Sequence, residues 1–499
     1  MRPCRHAPFF LVLGALLAAL VACHARSDGA PEIRGVGRIR AAGVLLWGGD
    51  VQGGEPFVYA DPKRPGELTG FEVELAGAIA RELGVRAEFV QNDWSNLIPS
   101  LERGSFDIVL NGLEITEARK GRVLFTRPYY AFTERLMARK GDARFTADLA
   151  SLAGRRVGTL NNSYAFELLR GRAEVIAYEG TEEPYLDLLH ARTDAVLLDD
   201  IIAARYGEPN PLLAVVGDVA EGYYAIAARK DEPDVLAAVD GAIARITARG
   251  ELQQILTRAR LWNARQEPLR SWSDADQRAL LGAPPVAPPM ALSHVWLFAR
   301  GAAMTLLLST LAMVLAVTLG LGLALARVYG GRWLVTLATA YVEIYRGTPV
   351  LLQLYLLYYG LSPVLKMDAM TAAIVGLGMN YAAYEAETYR AGIQGVPRGQ
   401  MEAAMALGMS GALAVRRVLL PQALRMALPN VTSDYIALMK DSSLVSVITV
   451  VELTKQMSIT AVDTRGWLLP GLLCAAMYFM MSYPLSRVAR RLEERLARS

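Results

Sequence analysis

Charged side chains fall in two different settings in this 499-residue chain, and each setting limits the chemistry they can do. Between Arg398 and Pro429 the run RGQMEAAMALGMSGALAVRRVLLPQALRMALP places Arg398, Glu402, Arg416, Arg417 and Arg425 inside an otherwise apolar half. A bilayer core does not tolerate that charge density, so the segment belongs in water on the charge-rich, cytoplasmic side. A water-exposed helix with small residues on one face can dock into a groove on another protein, and Gly408 lets the chain turn sharply at its end. Its chemistry is recognition. Glu343, Glu385 and Glu387 lie at or near membrane depth, where they either pair with Arg346 or Arg390 or flank a path.

The sequence offers little for catalysis. It contains no Gly-x-x-x-x-Gly-Lys-[Ser/Thr] loop, so the chain cannot bind ATP by that device and any ATP-driven engine must be another polypeptide. Its four histidines are scattered without metal-ligand spacing, and no nucleophile elbow occurs. No metal, no cofactor and no catalytic residue is therefore expected. The net charge of +3 is near neutral, and the arginines cluster beside apolar spans instead of forming a stripe with aromatics, which argues against a nucleic-acid partner.

These residues need elements to position them, and composition divides the chain. The N-terminus carries Arg2 and Arg5 and then an apolar run from Phe9 to Val21, a secretory signal by charge and length. Leu20-Val21-Ala22-Cys23 at its end resembles a lipobox, which would lipidate Cys23 and anchor it in a membrane leaflet. Residues 36–265 alternate strand-like and helical patterns, an α/β signature. Phe71, Leu75, Ala78, Ile79 and Leu83 share one face of a helix that Gly84 can close, while 106–110 and 195–198 read as buried strands. Ligands in such folds gather at strand carboxyl ends, so the residues just after those strands are the ones to inspect.

A Pro-rich linker over 266–291 should be exposed and carry no chemistry, with a helical turn or two near Ser273 to Leu281. The region 292–499 follows as an all-α membrane domain with five spans, near 302–326, 333–357, 370–393, 427–450 and 466–486. An odd number starting outside ends inside, which fits the arginines at 327, 332, 390 to 425 and 487 to 491.

Two resemblances sharpen this outline. Glu402-Ala403-Ala404, Gly408, and Val418, Leu420 and Pro421 are similar to the EAA coupling loop of ABC importer permeases, and Glu343-Ile344-Tyr345-Arg346-Gly347-Thr348-Pro349 resembles a signature of their polar amino-acid subfamily. In the exported module, Gly70-Phe71-Glu72-Val73-Glu74-Leu75, Trp94-Ser95-Asn96-Leu97-Ile98-Pro99, Ile115-Thr116-Glu117-Ala118-Arg119 and Phe125-Thr126-Arg127-Pro128-Tyr129-Tyr130 resemble the periplasmic amino-acid-binding proteins of ABC importers. The implied architecture is a two-lobe type II binding-protein fold followed by a type I ABC importer permease domain. The resemblance implies that Arg119 clamps a ligand α-carboxylate and that Asp199, or Asp200 if the register slips by one, accepts from the α-ammonium. It also implies that Asp50 and Trp94 line the side-chain region, that Gly112 offers backbone contacts, and that Ser163 adds donors to the carboxylate. Phe57 is expected to pack near the hinge.

Glu114 departs from the family pattern, which usually has a small hydroxyl residue two positions after Gly112. A buried carboxylate there needs a partner, either a cationic ligand or an internal arginine such as Arg119 or Arg127. The implied function is capture of an extracytoplasmic amino acid and its passage through the chain's own membrane domain, in a bacterial inner membrane, with lipid around it. A separate ABC ATPase would engage Glu402, Ala403, Ala404 and Gly408, and a homodimer would surround the pore. A ligand-gated channel or a sensor receptor with a glutamate-receptor-like binding domain is the alternative.

Overall fold

The computed structural model describes residues 34–282, 290–362, 364–464 and 466–496, so the signal segment with Cys23 lies outside the described residues. Strands β1 Val44–Gly49, β2 Tyr59–Ala60, β3 Leu68–Thr69, β4 Arg86–Gln91, β5 Ile108–Val109 and β6 Leu124–Phe125 are followed by β7 Tyr130–Arg139, β8 Arg156–Leu160, β9 Glu174–Tyr178, β10 Ala195–Asp199, β11 Leu213–Tyr224 and β12 Ala227–Ala228. They form one sheet in the order β4-β1-β5-β12-β6, a second in the order β11-β7-β10-β8-β9, and a small β2-β3 pair. In the first sheet β1 runs parallel to β4 and β5, and in the second β8 runs parallel to β9 and β10. The chain passes between the large sheets twice, from β6 to β7 and back from β11 to β12, which makes two α/β lobes joined by a pair of crossings.

Local sequence explains these elements. The helix Phe71–Leu83 buries Phe71, Leu75, Ala78, Ile79 and Leu83, and Gly84 closes it at φ 74°. That left-handed conformation is inexpensive only for glycine. All five residues of β10 are buried, so its end carries Asp199 directly to the inter-lobe cleft.

The segment expected to be an exposed tether packs on both lobes over residues 266–281, against β7 of the second and β6 of the first. Gln266 is fully buried, donating to the Ala131 carbonyl and accepting from the Ala131 N–H, both at 2.8 Å. Ser273 caps the helix Asp274–Leu281, and Gln277 donates to the carbonyls of Phe125 and Thr126. Proline content signalled a linker, but Leu269 and Leu281 supply enough apolar surface to hold it down.

The remainder is helical. Leu292–Tyr329 packs along Ala369–Gly395, which packs on Leu420–Asp441, with Leu468–Leu496 beyond. Among the described residues, two helices, Leu292–Tyr329 and the Leu468–Arg491 stretch, are long and apolar enough to cross a membrane by length and composition. The expected second span is divided: Arg332–Gly347 ends before Pro349, and Val350–Tyr355 restarts after it. The fourth ends at Asp441, followed by tight turns over Ser442–Ile448 and a separate helix Leu453–Asp463 that hydropathy alone did not separate.

The second lobe rests on one end of this bundle. The Tyr358 hydroxyl donates to Asp187 at 2.7 Å, Arg192 stacks over the Tyr358 ring, and the His190 ring nitrogen lies 2.9 Å from the Ser362 hydroxyl. Arg170 pairs with Asp463 at 2.6 Å and Glu179 with Lys455 at 2.5 Å. The helix Arg398–Ala406 connects the far ends of Ala369–Gly395 and Leu420–Asp441, so it lies at the opposite end of the bundle.

Close backbone approach between Leu292–Tyr329 and Ala369–Gly395 depends on Gly320, where an added Cβ would meet Glu385 Cβ at 2.6 Å and the Ala382 carbonyl oxygen at 2.9 Å. At Gly322, on the same helix, nothing lies within 4 Å. Gly320→Val should therefore destabilise the chain by about 1–3 kcal/mol through overpacking. Gly322→Val should leave the melting temperature of the purified protein nearly unchanged; equal effects at both positions would refute the packing account.

Candidate ligand-binding site

A cavity opens between the lobes, walled by Phe57, Trp94 and Tyr224 and reached by Asp50, Glu114 and Asp199. The ends of β1, β5 and β10 deliver the three acids, as expected for an α/β fold. Glu114 is buried, and its Oε2 accepts from Arg119 Nη1 at 2.5 Å while its Oε1 accepts from the Tyr164 N–H at 3.2 Å. Arg119 also donates to the Glu114 carbonyl at 2.9 Å and to the Asn162 carbonyl at 2.8 Å, and its guanidinium lies 4.9 Å from the Trp94 ring centroid. Of the two partners open to Glu114 in sequence, the structure supplies the internal arginine. Arg127 is elsewhere, bidentate on Asp240.

These contacts also close the cleft, since Arg119 and Glu114 belong to the first lobe and Asn162 and Tyr164 to the second. The Trp94 indole N–H donates to the Asn161 carbonyl at 2.9 Å, and Ser95 donates to Glu179 at 2.7 Å. Glu179 thus joins Ser95 of the first lobe to Lys455 of the helical bundle.

Asp199 faces the cleft, with Oδ2 bonded to the Tyr224 hydroxyl and Oδ1 without a hydrogen bond. Asp200 turns away to Arg265 at 2.7 Å, leaving Asp199 as the acid of the two that lines the cavity. Glu134, which sequence reading missed, sits opposite Asp199 across the β7–β10 pair. Its signal was a polar residue in a buried strand. Neither Glu134 oxygen makes a hydrogen bond of ordinary geometry. Carboxylate oxygens of Glu114, Glu134 and Asp199 all lie within 4.8 Å of one another. Burial, reinforced by the neighbouring acids, pushes Glu134 and Asp199 well above the usual carboxylate range, and burial pushes Glu114 upward despite Arg119.

Two expected ligand donors are already engaged. The Gly112 N–H donates to Glu72 Oε1 at 2.5 Å, with Tyr129 Oη at 3.1 Å, instead of facing a ligand. The Ser163 hydroxyl donates to the Leu160 carbonyl and accepts from the Phe166 N–H, capping the helix Tyr164–Leu169. Asp50 lines the cavity, but its carboxylate accepts from the N–H groups of Gln52 and Trp94 and from Gln91. Phe57 packs against Phe71 and Tyr224 at the cavity wall.

At the far end of the bundle Glu402 and Ala403 are exposed and Ala404 is buried, while Gly408 turns the chain at φ 85°. Glu387 binds both Arg327 and Arg390, whereas Arg346 lies over the Tyr384 ring instead of joining an acid.

Fold and site together define a two-lobe ligand-binding module continuous with a transport-type helical domain. Residues 49–259 match the bacterial extracellular solute-binding proteins, family 3, and residues 316–498 match the binding-protein-dependent transport system inner membrane component. The chain is 34% identical over 200 residues to the putative glutamine transport system permease protein GlnP of Rickettsia bellii, covering 40% of this chain and 91% of that protein. It is 32% identical over 199 residues to the arginine transport system permease protein ArtQ of Bacillus subtilis, with the same coverages of 40% and 91%. Among solved structures, holo ArgBP from T. maritima is 29% identical with a TM-score of 0.40, covering 44% of this chain and 98% of that one. An ancestral arginine-binding protein bound to glutamine is 31% identical with a TM-score of 0.40, covering 44% and 99%. The chain belongs to the binding-protein-dependent transport inner membrane family and is an amino-acid ABC transporter permease fused to its own substrate-binding domain. It is a transport protein and not an enzyme, and none of these relatives is a channel or a sensor.

Glu72, fully buried in the first turn of Phe71–Leu83, accepts from both Tyr129 and Gly112, and burial pushes its pKa to about 7 from an ordinary 4.5. The folded state thus prefers the protonated acid. Below pH 4.5 both states hold the proton; between 4.5 and 7 the unfolded chain releases it first, so stability falls as pH rises through that window. Glu72→Gln, whose amide oxygen can accept the same two bonds, should flatten this slope and recover up to about 3 kcal/mol above pH 7. Melting temperatures at pH 5 and pH 8 test it, and an unchanged slope would exclude Glu72 as its source.

Proposed function

We propose that the inter-lobe site captures a cationic ligand of the amino-acid class, with Asp199 and Glu114 meeting its nitrogen, Glu134 behind them, and Trp94 and Asp50 bounding its stem. The carrying observation is the count of acceptors: among the described residues, three buried acids have oxygens within 4.8 Å of one another and Arg119 is the one cation bonded to them. An anionic ligand would bring further acceptors to a poorly solvated site already crowded with them, whereas an ammonium or guanidinium would bring a donor to Asp199 Oδ1, which has none and lines the cavity. Relatives named for arginine transport and for binding arginine are consistent with this. Arg119 is then primarily the partner of Glu114, and Gly112 and Ser163 shape the site through Glu72 and the helix cap.

In this reading the binding module lies on the extracytoplasmic side of a bacterial inner membrane, held by lipid around the helices and by an acyl group on Cys23. The helix carrying Glu402, Ala403 and Ala404, ended by Gly408, docks on a separate ATPase. Two copies of the chain surround the path. The second lobe hands ligand to the bundle end that it already touches.

Calorimetry on the purified full chain with arginine, lysine, glutamine and glutamate tests the ligand class. Cationic ligands should bind tightest and glutamate weakest; preference for glutamate would end the proposal. Asp199→Asn should weaken the preferred ligand by tenfold or more, roughly 1.4 kcal/mol, while Asp200→Asn, whose partner is Arg265, should not. In complex with its ATPase, Glu402→Lys or Gly408→Val should abolish ligand-stimulated ATP hydrolysis without changing ligand affinity. Full stimulation in both variants would remove the coupling role.

A further inference from the structure

The arrangement around Glu114 goes further than a preference for cations. A carboxylate entering this cleft would need the Arg119 guanidinium and a backbone donor from the second lobe. Both are filled by the chain itself: Glu114 Oε2 takes Arg119 Nη1 at 2.5 Å, and Glu114 Oε1 takes the Tyr164 N–H at 3.2 Å. The same guanidinium spends its other bonds on the carbonyls of Glu114 and Asn162. Glu114 therefore sits across the two lobes as a ligand's carboxylate would. What stays unmatched at the cavity is acceptor capacity, namely Oδ1 of Asp199, which is 3% exposed and carries no hydrogen bond, with the fully buried Glu134 opposite it in the sheet.

A ligand bringing its own carboxylate would have to expel Glu114 from Arg119. That would leave the Glu114 carboxylate buried without its cation, next to two more, and breaking a buried ion pair in this way is strongly unfavourable. A ligand bearing an ammonium or guanidinium on an aliphatic stem, with no carboxylate on the adjoining carbon, meets no such cost. It offers a donor to Asp199 Oδ1 and lays its stem along Phe57, Trp94 and Tyr224.

We infer that Glu114 is a built-in substitute for the ligand α-carboxylate, and that the site accepts amines and guanidines of the decarboxylated amino-acid class. This rests on the cationic-ligand reading above, and the test separates the two. Calorimetry on the full-length protein in lipid nanodiscs would compare agmatine with arginine and cadaverine with lysine, with glutamate and the chlorides of magnesium, calcium and zinc alongside. The inference expects each amine to bind at least as tightly as its parent amino acid. In Glu114→Thr, which vacates Arg119, the ratio should swing by tenfold or more toward the amino acid.

Arginine and lysine outbinding their amines while glutamate binds poorly would overturn this inference and leave the cationic reading standing. Glutamate outbinding every cation would overturn both. Binding of a divalent metal with no binding of amine would also overturn it, as would an amine to amino-acid ratio that Glu114→Thr does not move. Because Glu114→Thr could also loosen the closed lobes, Glu114→Gln provides a second variant. It keeps the side-chain length, weakens the hold on Arg119, and should shift the same ratio in the same direction.

Discussion

A buried charge must find a partner, and the Glu114–Arg119 pair is where this chain meets that requirement. With one contact it neutralises a carboxylate in the cleft, occupies the arginine, and stitches the first lobe to the backbone of the second through Asn162 and Tyr164. Neither residue could be replaced alone without stranding the other. The orientation of Trp94 also follows from it, since the guanidinium lies against the indole while the indole N–H reaches Asn161. Glu134 and Asp199 remain beside it, paired across the strands, with Asp199 Oδ1 carrying no hydrogen bond.

Much of this was legible in the sequence because it is local. The apolar spacing of Phe71 to Leu83, the buried strand ending at Asp199 and the small-residue helix before Gly408 each follow from rules that act within a few residues. The family resemblance named residues of which Asp50, Trp94, Gly112, Glu114 and Asp199 line the cavity, and the matching families and the two-sheet topology bear out the architecture it implied. What it could not supply was occupancy. Gly112 and Ser163 stand near the cleft, yet their donors are already committed, one to Glu72 and the other within a helix cap. Those commitments join residues 40 apart in sequence in the first case, where no periodicity reports them. Glu134 showed only as a polar residue in an apolar strand, and its pairing with Asp199 is a matter of register that no local rule reports.

Hydropathy was a blunt guide to the membrane half. It located the helices but not their ends, because polar residues such as Arg346, over the Tyr384 ring, and Gln353, bonded to Tyr345 and Thr348, are satisfied by neighbours that a window average does not record. The break at Thr348-Pro349 and the turn over Ser442–Ile448 matter more to architecture than any apolar run. The turn and the helix after it deliver Lys455 and Asp463 to the second lobe. Glu179 carries the shape of the cleft to that boundary, since its two oxygens hold Ser95 on one side and Lys455 on the other.

Among the described residues, the second lobe meets the helices through a few ion pairs and polar contacts, Arg170 to Asp463, Glu179 to Lys455, Asp187 and Arg192 to Tyr358, and His190 to Ser362. For two separate proteins so sparse a seat would hold poorly at ordinary dilution. Here receptor and helices share one polypeptide, and that covalent linkage keeps the local concentration of one at the other on the order of millimolar. Weak contacts are then sufficient, and they have the merit of parting quickly. Docking becomes a first-order event, indifferent to how many copies the cell makes, and each pore is served by the receptor it was synthesised with, in fixed stoichiometry and without competition from receptors carrying other cargo.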